Sequence, residues 1–382
     1  MKKGYINDFC KVIAGQSPRG SSYNDVGDGM EFHQGKKAFG DVFLESSNVW
    51  TTEITKIAEP GDILMSVRAP VGPTNITNRK VCIGRGLAAI RCSESVLPNF
   101  ILYALRNIEN KIVGNDGAVF NSINKKMIER LPVPLFDKNE QQEIVDYLDS
   151  AFAKIDEMKA NAEKALNEAK ALFQASLKEL LEPKEGWEEK KLVDIVDKNS
   201  AISYGIVQPG NNVSGGVPVV RPVDLIQKVI SLHDGIKRTS KENSDSYKRT
   251  LLNGKEILMC VRGSTGVVSL TNSSLVGSNV TRGIVPIKIE DEFLRLFTYY
   301  SMIAPVASEF IQTNTRGAAL KQINIADVKL IPISIPSREV QQEIVTTLDS
   351  IKSKVDQLQE NYDKIAKECD TLKQAILKQV FE

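Results

Sequence analysis

A ten-residue segment occurs twice in this chain, almost unchanged, and it limits the possible architectures more than any other feature. QQEIVDYLDS begins at Gln141, and QQEIVTTLDS begins at Gln341, 200 positions later. Further upstream, the matched residues are separated by fewer positions, as with Arg68 and Arg262. From Ile123 onward the separation stays at 200 positions. The chain is therefore predicted to be an internal duplication whose insertions all fall upstream of the repeated segments.

Each repeated segment opens a stretch in which apolar residues are spaced alternately four and three positions apart, as in a coiled coil. We predict long helices in residues 138–182 and 339–382, of which Gln141–Leu181 makes a rod of roughly 60 Å. An antiparallel pair is favoured, because a parallel pair would require the second half to cross the whole rod. The predicted helix-pair interface consists of Ile144, Leu148, Ile155, Met158 and Leu172 on the first helix, and Ile344, Leu348, Ile351, Val355, Leu358, Ile365, Leu372 and Ile376 on the second.

Residues 1–137 and 183–338 are each predicted to form a mixed α/β domain. GDILMSVRAPVG from Gly61 and GKEILMCVRGSTG from Gly254 are typical of strands that end in an arginine and a glycine-containing turn. Helical patterns follow at 99–112 and 292–311. Between these shared segments the two halves differ. The predicted fold is α+β, with two such domains in tandem and two long helices that form an antiparallel intramolecular coiled coil with pseudo-twofold symmetry.

Composition is that of an ordinary soluble globular protein, with 42% hydrophobic and 25% charged residues. Neither a secretory signal nor an apolar run of roughly 18 to 20 residues is present, so we expect a cytoplasmic protein without a membrane partner. The five cysteines contain no CxxC pair, which argues against a zinc site. The globular regions are mildly basic and the helices acidic, as expected if the globular regions contact an anionic polymer, although ordinary solvated surfaces explain this equally well.

Catalytic motifs are missing from the sequence. It has no GxxxxGK[ST] phosphate loop, no GxGxxG at a strand–helix junction, no HExxH and no GxSxG. His33 and His233 are its two histidines, so few imidazole side chains are available for catalysis or metal binding. We therefore predict no catalytic residue, no metal ligand and no enzyme activity in this chain.

Binding residues are better supplied, because basic and amide side chains lie in or beside the shared turns. Arginine suits guanine edges and phosphate oxygens, while asparagine and glutamine suit adenine edges. The matched arginines recur either because they contact a ligand or because they hold the fold, and the unmatched loop residues are better candidates for sequence discrimination. The candidate DNA-binding residues are Arg19, Lys36, Lys37, Arg68, Arg85, Asn121, Lys125, Arg238, Lys248, Arg262, Arg282, Arg316, Lys321 and Gln322.

The order of variable domain, QQEIVxxLD helix, variable domain and QQEIVxxLD helix resembles the DNA specificity subunits of type I restriction-modification systems. The GDILMSVR and GKEILMCVR strands, the GAxxxxIN loops and the LPVPLF and IPISIP segments also resemble that family, and the resemblance covers the full chain. It implies a non-catalytic subunit with two target recognition domains, each of which recognises one half of an asymmetric bipartite site in double-stranded DNA.

The resemblance further implies that the helices set the gap between the half-sites and dock two methyltransferase subunits, with restriction subunits joining in the full complex. S-adenosylmethionine and ATP with Mg²⁺ are expected on those partner subunits and not on this chain. The alternatives are a non-enzymatic coiled-coil scaffold that binds protein or another ligand, and an enzyme with an unfamiliar site. Salt-dependent binding to duplex DNA would distinguish the first alternative, and methylation or cleavage by the purified chain alone would support the second.

Overall fold

The structure is a computed structural model that describes residues 3–112, 122–198, 202–318 and 320–382. Two compact units are present. The first consists of Met1–Ala162 and Tyr362–Glu382, and the second of Glu163–Asn361. Each unit therefore contains one globular half together with a part of each long helix.

The first globular half contains two larger sheets, a two-stranded pair and a helix that covers one of the larger sheets. Its helices, with the long helix that follows, are α1 (Ile6–Phe9), α2 (Pro98–Ile112), α3 (Lys125–Glu129) and α4 (Lys138–Leu181). Its strands are β1 (Lys3–Tyr5), β2 (Cys10–Ala14), β3 (Tyr23–Asn24), β4 (Met30–His33), β5 (Trp50–Thr51), β6 (Ile57–Ala58), β7 (Ile63–Ser66), β8 (Thr74–Ile76), β9 (Val81–Ile83), β10 (Leu87–Cys92) and β11 (Pro132–Pro134). The strand orders are β2-β10-β7-β8 and β3-β5-β4-β9-β6, with β1 and β11 as a separate pair.

Strand β7 explains why the sequence here is apolar without alternation. Ile63 and Met65 belong to the core that includes α2, whereas Leu64 belongs to a smaller core formed with the second sheet. All three side chains are fully buried. A strand that is covered on both faces reads as a continuous apolar run, because neither face requires polar residues.

The second half repeats three strands of the first half's central sheet, with different surroundings. Its helices are α5 (Leu192–Ile195), α6 (Lys241–Asp245), α7 (Glu292–Ile303), α8 (Pro305–Asn314) and α9 (Ile325–Lys329), followed by α10 (Arg338–Phe381). Its strands are β12 (Glu188–Lys191), β13 (Val217–Val220), β14 (Val229–Ile230), β15 (Arg238–Thr239), β16 (Glu256–Cys260), β17 (Val268–Thr271), β18 (Asn279–Val280), β19 (Ile284–Lys288) and β20 (Pro332–Ile335). The strand orders are β14-β17-β16-β19 and β15-β13-β18, with the pair β12-β20.

One predicted helix is two helices in the structure. The pattern at residues 292–311 is divided between α7 and α8, and the break falls at Ala304, whose ψ of 158° is extended. Pro305 causes the break, because its ring disfavours helical geometry at the preceding residue and it has no N–H to donate. As the first residue of α8 it is well tolerated.

The long helices α4 and α10 pair in antiparallel order, as predicted. In the first unit the beginning of α4, at Leu148, shares a core with the end of α10, at Leu377. In the second unit the end of α4, at Leu177, shares a core with the beginning of α10, at Leu348.

The predicted seam needs three corrections. Met158 and Leu172 of α4 are 61% and 59% exposed, and Leu372 of α10 is 47% exposed, so these three do not lie in the helix-pair interface. The buried positions of α4 are Gln141, Val145, Leu148, Phe152, Ile155, Leu166, Phe173, Leu177 and Leu181.

The error in α4 has a simple geometric cause. The seam consists of two rows of residues along the helix. The row that includes Leu148 and Ile155 was predicted correctly. The second row was predicted three residues after the first but lies four residues after it, at Phe152, Leu166 and Phe173. The alanine-rich middle of the helix contains small side chains on several faces, so the spacing alone did not distinguish the two rows. On α10, Lys373 takes the place next to the seam, where its ammonium pairs with Asp156.

The remaining predicted interface residues lie at or beside these seams. Leu148, Ile155, Ile344, Leu348 and Val355 are buried. The others are partly buried, and these are Ile144, Ile351, Leu358, Ile365 and Ile376. Among the described residues, no helix is long and apolar enough to cross a membrane.

Candidate nucleic-acid interface

In the first unit, three segments that are distant in sequence meet at one backbone junction. Val67 N–H donates to Gly86 O at 3.0 Å, and Ile123 N–H donates to Val67 O at 3.0 Å. The junction brings Arg68, after the end of β7, next to Arg85, in the turn between β9 and β10. Both arginines are exposed.

The second unit forms the same junction with its own residues. Val261 N–H donates to Gly283 O at 2.8 Å, and Ile323 N–H donates to Val261 O at 3.0 Å. Arg262 and Arg282 are thereby brought together. The four recurring arginines thus flank one backbone arrangement that each unit builds independently.

A glycine-dependent turn holds Arg85 in place. A Cβ atom on Gly84 would lie 2.2 Å from Gln34 Oε1, and one on Gly86 would lie 2.2 Å from Gln34 O. Only glycine permits the chain after β4 to approach so closely. Ser17 completes the arrangement, because its hydroxyl donates to Gln34 Oε1 at 2.9 Å and accepts from Arg85 N–H at 3.2 Å.

The junction of the first unit opens into a cavity of about 800 Å³. Arg85, Lys37, Gln34 and Ser17 contribute polar atoms to its lining. Tyr23, also in the lining, stacks on Phe32 with ring centroids 4.9 Å apart and an interplanar angle of 19°.

The cavity at the second junction is smaller, about 380 Å³. Arg262, Arg282, Gln322, Asn324 and Tyr204 line it. The Arg262 guanidinium donates to Gln322 Oε1 from Nη2 at 2.9 Å and from Nε at 3.3 Å, which fixes the orientation of both side chains.

The charges of these arginines are not neutralised by neighbouring carboxylates. Within the described ranges, Arg68, Arg85, Arg262 and Arg282 take part in no ion pair. Arg68, Arg85 and Arg282 are exposed and so retain the donors that phosphate oxygens and guanine edges accept. Arg262 is partly buried and uses two of its donors on Gln322.

The Glu31 cluster, which consists of Glu31, His33 and Arg79, is different because its members neutralise one another. Glu31 accepts from Arg79 Nε at 2.6 Å and Nη2 at 2.7 Å, from Ser47 N–H at 2.6 Å, and lies 3.0 Å from His33 Nε2. Burial acts to raise the pKa of Glu31, but the hydrogen bonds from Arg79 and Ser47 outweigh it and lower the pKa to about 2. Burial lowers the pKa of His33. The cluster therefore stabilises the first unit from inside.

Two of the predicted loop residues also have structural partners. Arg238 is half-buried, and its Nη1 donates to Gly216 O at 2.8 Å. Lys125 lies 3.5 Å from Glu129 on the same short helix. The Arg238 contact uses one of the five guanidinium N–H donors, so a DNA-binding role for either residue stays a prediction.

The other predicted loop residues in the described ranges are exposed, except Gln322, which is partly buried. In the second unit, Arg316 and Gln322 exchange two backbone hydrogen bonds of 2.8 Å, and Lys321 O accepts from Gly263 N–H at 2.8 Å, so this loop is attached to the junction. Elsewhere the exposed predicted residues are Arg19, Lys36, Lys37 and Lys248. Asn121 lies outside the described residues.

Several residues of the site had no sequence signal. Ser17, Gln34 and Tyr204 line the two cavities, but they are common surface residue types and belong to segments that the two halves do not share. Their proximity to the arginines depends on long-range packing. In the described part of the chain, no three histidine, cysteine, aspartate or glutamate side chains are grouped so as to hold a metal ion.

Comparison with known proteins identifies related sequences. The family model described as the type I restriction modification DNA specificity domain matches residues 1–168 and 184–367. The putative type I restriction enzyme MjaX specificity subunit of Methanocaldococcus jannaschii is 41% identical over 165 residues, which span 42% of this chain and 38% of that protein. The type I restriction enzyme EcoBI specificity subunit of Escherichia coli is 24% identical over 335 residues, or 77% of this chain and 70% of that protein.

Solved structures share the fold. A chain from work on complex assembly and conformational transition of the type I R-M system has a TM-score of 0.76 at 17% identity, covering 100% of this chain and 97% of that one. The HsdS subunit of Thermoanaerobacter tengcongensis has a TM-score of 0.56 at 17% identity, covering 100% and 96%. The family model matches both halves and most of this chain. The chain therefore belongs to the family of type I restriction-modification DNA specificity proteins.

Proposed function

We propose that each unit of this chain recognises one half of an asymmetric, bipartite sequence in double-stranded DNA. The observation that supports this most strongly is the repeated junction. It places Arg85 in the first unit, and Arg262 and Arg282 in the second, in the lining of a cavity whose other residues differ between the units. Cationic groups that recur in both units can position a protein on the phosphate backbone, while neighbours that differ between the units can discriminate base edges. The same scaffold thus serves two different sequences.

The second part of the proposal is that helices α4 and α10 set the gap between the half-sites and dock two methyltransferase subunits. Exposed apolar side chains on α4 support the docking role. Tyr147 is 53% exposed and Met158 is 61% exposed. They are eleven residues, or three turns, apart and lie on one face of the helix.

The docking role is tested by replacing Tyr147 and Met158 with serine in one variant. We expect the variant to lose methyltransferase subunit in co-purification while its unfolding temperature stays unchanged, because neither side chain is in the core. A variant with Lys164→Ser and Glu168→Ser, two exposed polar positions on the same helix, is the control. Undiminished co-purification of the Tyr147/Met158 variant would count against docking on this face.

In this proposal, the catalytic reactions take place on the partner subunits. The methyl donor, ATP and Mg²⁺ bind there, translocation and cleavage belong to the restriction subunits, and the present chain supplies recognition and assembly. Methylation or cleavage by the purified chain alone would contradict this division.

The decisive experiment is methylome sequencing of cells with and without this chain. We expect one bipartite methylated motif to disappear on deletion and to return on complementation. Binding of the chain with its methyltransferase subunit to a duplex of that motif should weaken with rising salt, since phosphate contacts release counterions. An unchanged methylome would favour the rival scaffold function, in which the two units bind protein.

A further inference from the structure

The two units differ at one partly buried contact that has no counterpart in the sequence repeat. In the second unit, the ammonium group of Lys228 is enclosed by Asp349 at the beginning of α10 and by two tyrosines of α7. It donates to Asp349 and to Tyr300 Oη, the latter at 3.0 Å. It also lies 4.8 Å from the centre of the Tyr300 ring and 5.8 Å from that of Tyr299. The side chain of Lys228 is only 18% exposed.

The first unit has the same receptor groups. Tyr103 of α2 donates its hydroxyl proton to Asp149 of α4, just as Tyr300 donates to Asp349. Asp149 and Asp349 are the ninth residues of the two repeated decapeptides. Leu102 takes the place of Tyr299. The second ring is Phe152 of α4, which packs edge-on against Tyr103 with centroids 5.5 Å apart and has the ammonium of Lys373 5.5 Å from its centre.

The lysine itself is replaced by a short apolar residue. Lys228 O accepts from Leu270 N–H at 2.7 Å, and Val42 O accepts from Ile76 N–H at 2.8 Å. Leu270 and Ile76 are equivalent, because each pairs with the first apolar residue of the central strand, Ile257 in β16 and Ile63 in β7. Val42 therefore occupies the position of Lys228.

An open cavity of about 460 Å³ lies where the lysine would be. Val42, Tyr103, Asp149 and Phe152 all line it. Of the other charged groups in the lining, Lys373 is paired with Asp156, and Arg106 donates to the backbone carbonyl of Asp41 and, at 3.4 Å, to that of Thr74. Among the residues that the structure describes, no cation forms an ion pair with Asp149.

We infer that this cavity, which we call the Val42 pocket, binds a primary alkylammonium group supplied from outside the chain. The second unit shows the chemistry that fits, an ammonium on an unbranched alkyl stem held by a carboxylate, a tyrosine hydroxyl and aromatic faces. The ligand is either a lysine side chain of an associated protein or a free aliphatic amine. The inference does not depend on the proposed function in DNA recognition.

The test uses the full chain labelled with 3-fluorotyrosine and observed by ¹⁹F NMR. The Tyr103 resonance is assigned with Tyr103→Phe, and n-butylammonium chloride is titrated at constant ionic strength. We expect a saturable shift of that resonance. Tetramethylammonium chloride, which has no N–H donor, should give no saturable shift, and an equal response to both salts would overturn the inference.

Three variants provide matched controls. Val42→Lys should fill the pocket from within and reduce the affinity for butylammonium at least tenfold. Asp149→Asn, at an exposed position that leaves the fold intact, should abolish the response. Lys228→Val should create the response at Tyr300, where the natural chain shows none. A butylammonium response that survives both Val42→Lys and Asp149→Asn would overturn the inference.

The two sources of the ammonium are separated by comparing Nα-acetyl-lysine methylamide with putrescine. Tighter binding of the lysine derivative assigns the pocket to a protein partner, and tighter binding of putrescine assigns it to a free amine. Failure of both ligands to bind would overturn the inference.

Discussion

The arginines of this chain fall into two chemical groups, those with a carboxylate partner and those without one. Arg79 and Arg91 form bidentate ion pairs with Glu31 and Asp62, at 2.6 to 2.9 Å, and so stabilise the fold. Arg85 and Arg282 are exposed and have no such partner among the described residues. The carboxylates that make this difference lie 29 and 48 positions away in sequence, so only the folded arrangement reveals which guanidinium groups remain available.

Replacing Arg282 with alanine is expected to weaken binding of the methyltransferase-associated chain to its DNA by about 1–3 kcal/mol. Fluorescence anisotropy over a range of salt concentrations provides the measurement, and a phosphate contact would reduce the salt slope by about 1. Lys255→Ala removes the same charge from the opposite end of β16, roughly 20 Å away. Equal losses of affinity for the two variants would show that the effect is only one of net charge.

The Glu31 cluster predicts a pH dependence of stability. The side chain of Glu31 is 8% exposed and its pKa falls from 4.5 to about 2 on folding. The ionised form is therefore favoured in the folded state, and about 3 kcal/mol of stability is present above pH 4.5 and lost as the pH falls towards 2. Urea unfolding between these pH values measures the loss.

The matched variant is Glu31→Gln, which should be less stable than the natural chain at neutral pH and should not show this loss between pH 4.5 and 2. Because burial also lowers the pKa of His33, the comparison is repeated in a His33→Gln background. Parallel pH profiles for Glu31→Gln and the natural chain would rule out Glu31 as the titrating group.

At the scale of elements, the sequence predicted which segments fold but not which face of each helix is buried. Both long helices, the central apolar strands and the antiparallel order follow from periodicity and chain order. The seam of α4 was misplaced because alanines cover several faces of its middle, and a one-residue error in one row moved the prediction from Phe173 to Leu172. Likewise, the helical pattern of residues at 292–311 continues across Pro305, although the backbone helix is interrupted there.

Adjacent residues of α4 provide a direct test of the corrected seam. Phe173 is 6% exposed and Leu172 is 59% exposed. Phe173→Ala should lower the free energy of unfolding by about 3–5 kcal/mol, because it removes a buried ring and leaves a cavity. Leu172→Ala should change it by no more than about 0.5 kcal/mol. Denaturant unfolding of the two variants measures both values, and the opposite ranking would restore the original seam.

At the scale of the whole molecule, the internal duplication predicts more of the fold and the candidate site than any single motif does. Each unit builds its own junction and its own tyrosine–aspartate contact from equivalent residues, so the shared arginines were predictable from the repeat. The cavities beside the junctions were not, because Gln34, Tyr204 and their neighbours belong to segments where the halves differ. Sequence comparison of the two copies therefore locates the scaffold, while specificity depends on packing within the unshared segments.

The proposed role of α4 and α10 in setting the gap leads to a prediction about length. Deleting residues 159–165 and 359–365 together removes one heptad from each helix and keeps both seams in phase. Each helix becomes shorter by about 10 Å, which corresponds to about 3 base pairs of DNA. Methylome sequencing should then show the same two half-sites separated by a gap about 3 base pairs shorter.

Deleting either heptad alone is the control, because the two helices would then differ in length by two turns and lose seam contacts on one side. We expect the single deletions to lower the unfolding temperature and to abolish methylation, whereas the double deletion retains both stability and methylation. A double-deletion variant that methylates altered half-sites with the original gap would show that the helices do not determine spacing, and the gap would then have to be set by the globular halves or by the partner subunits.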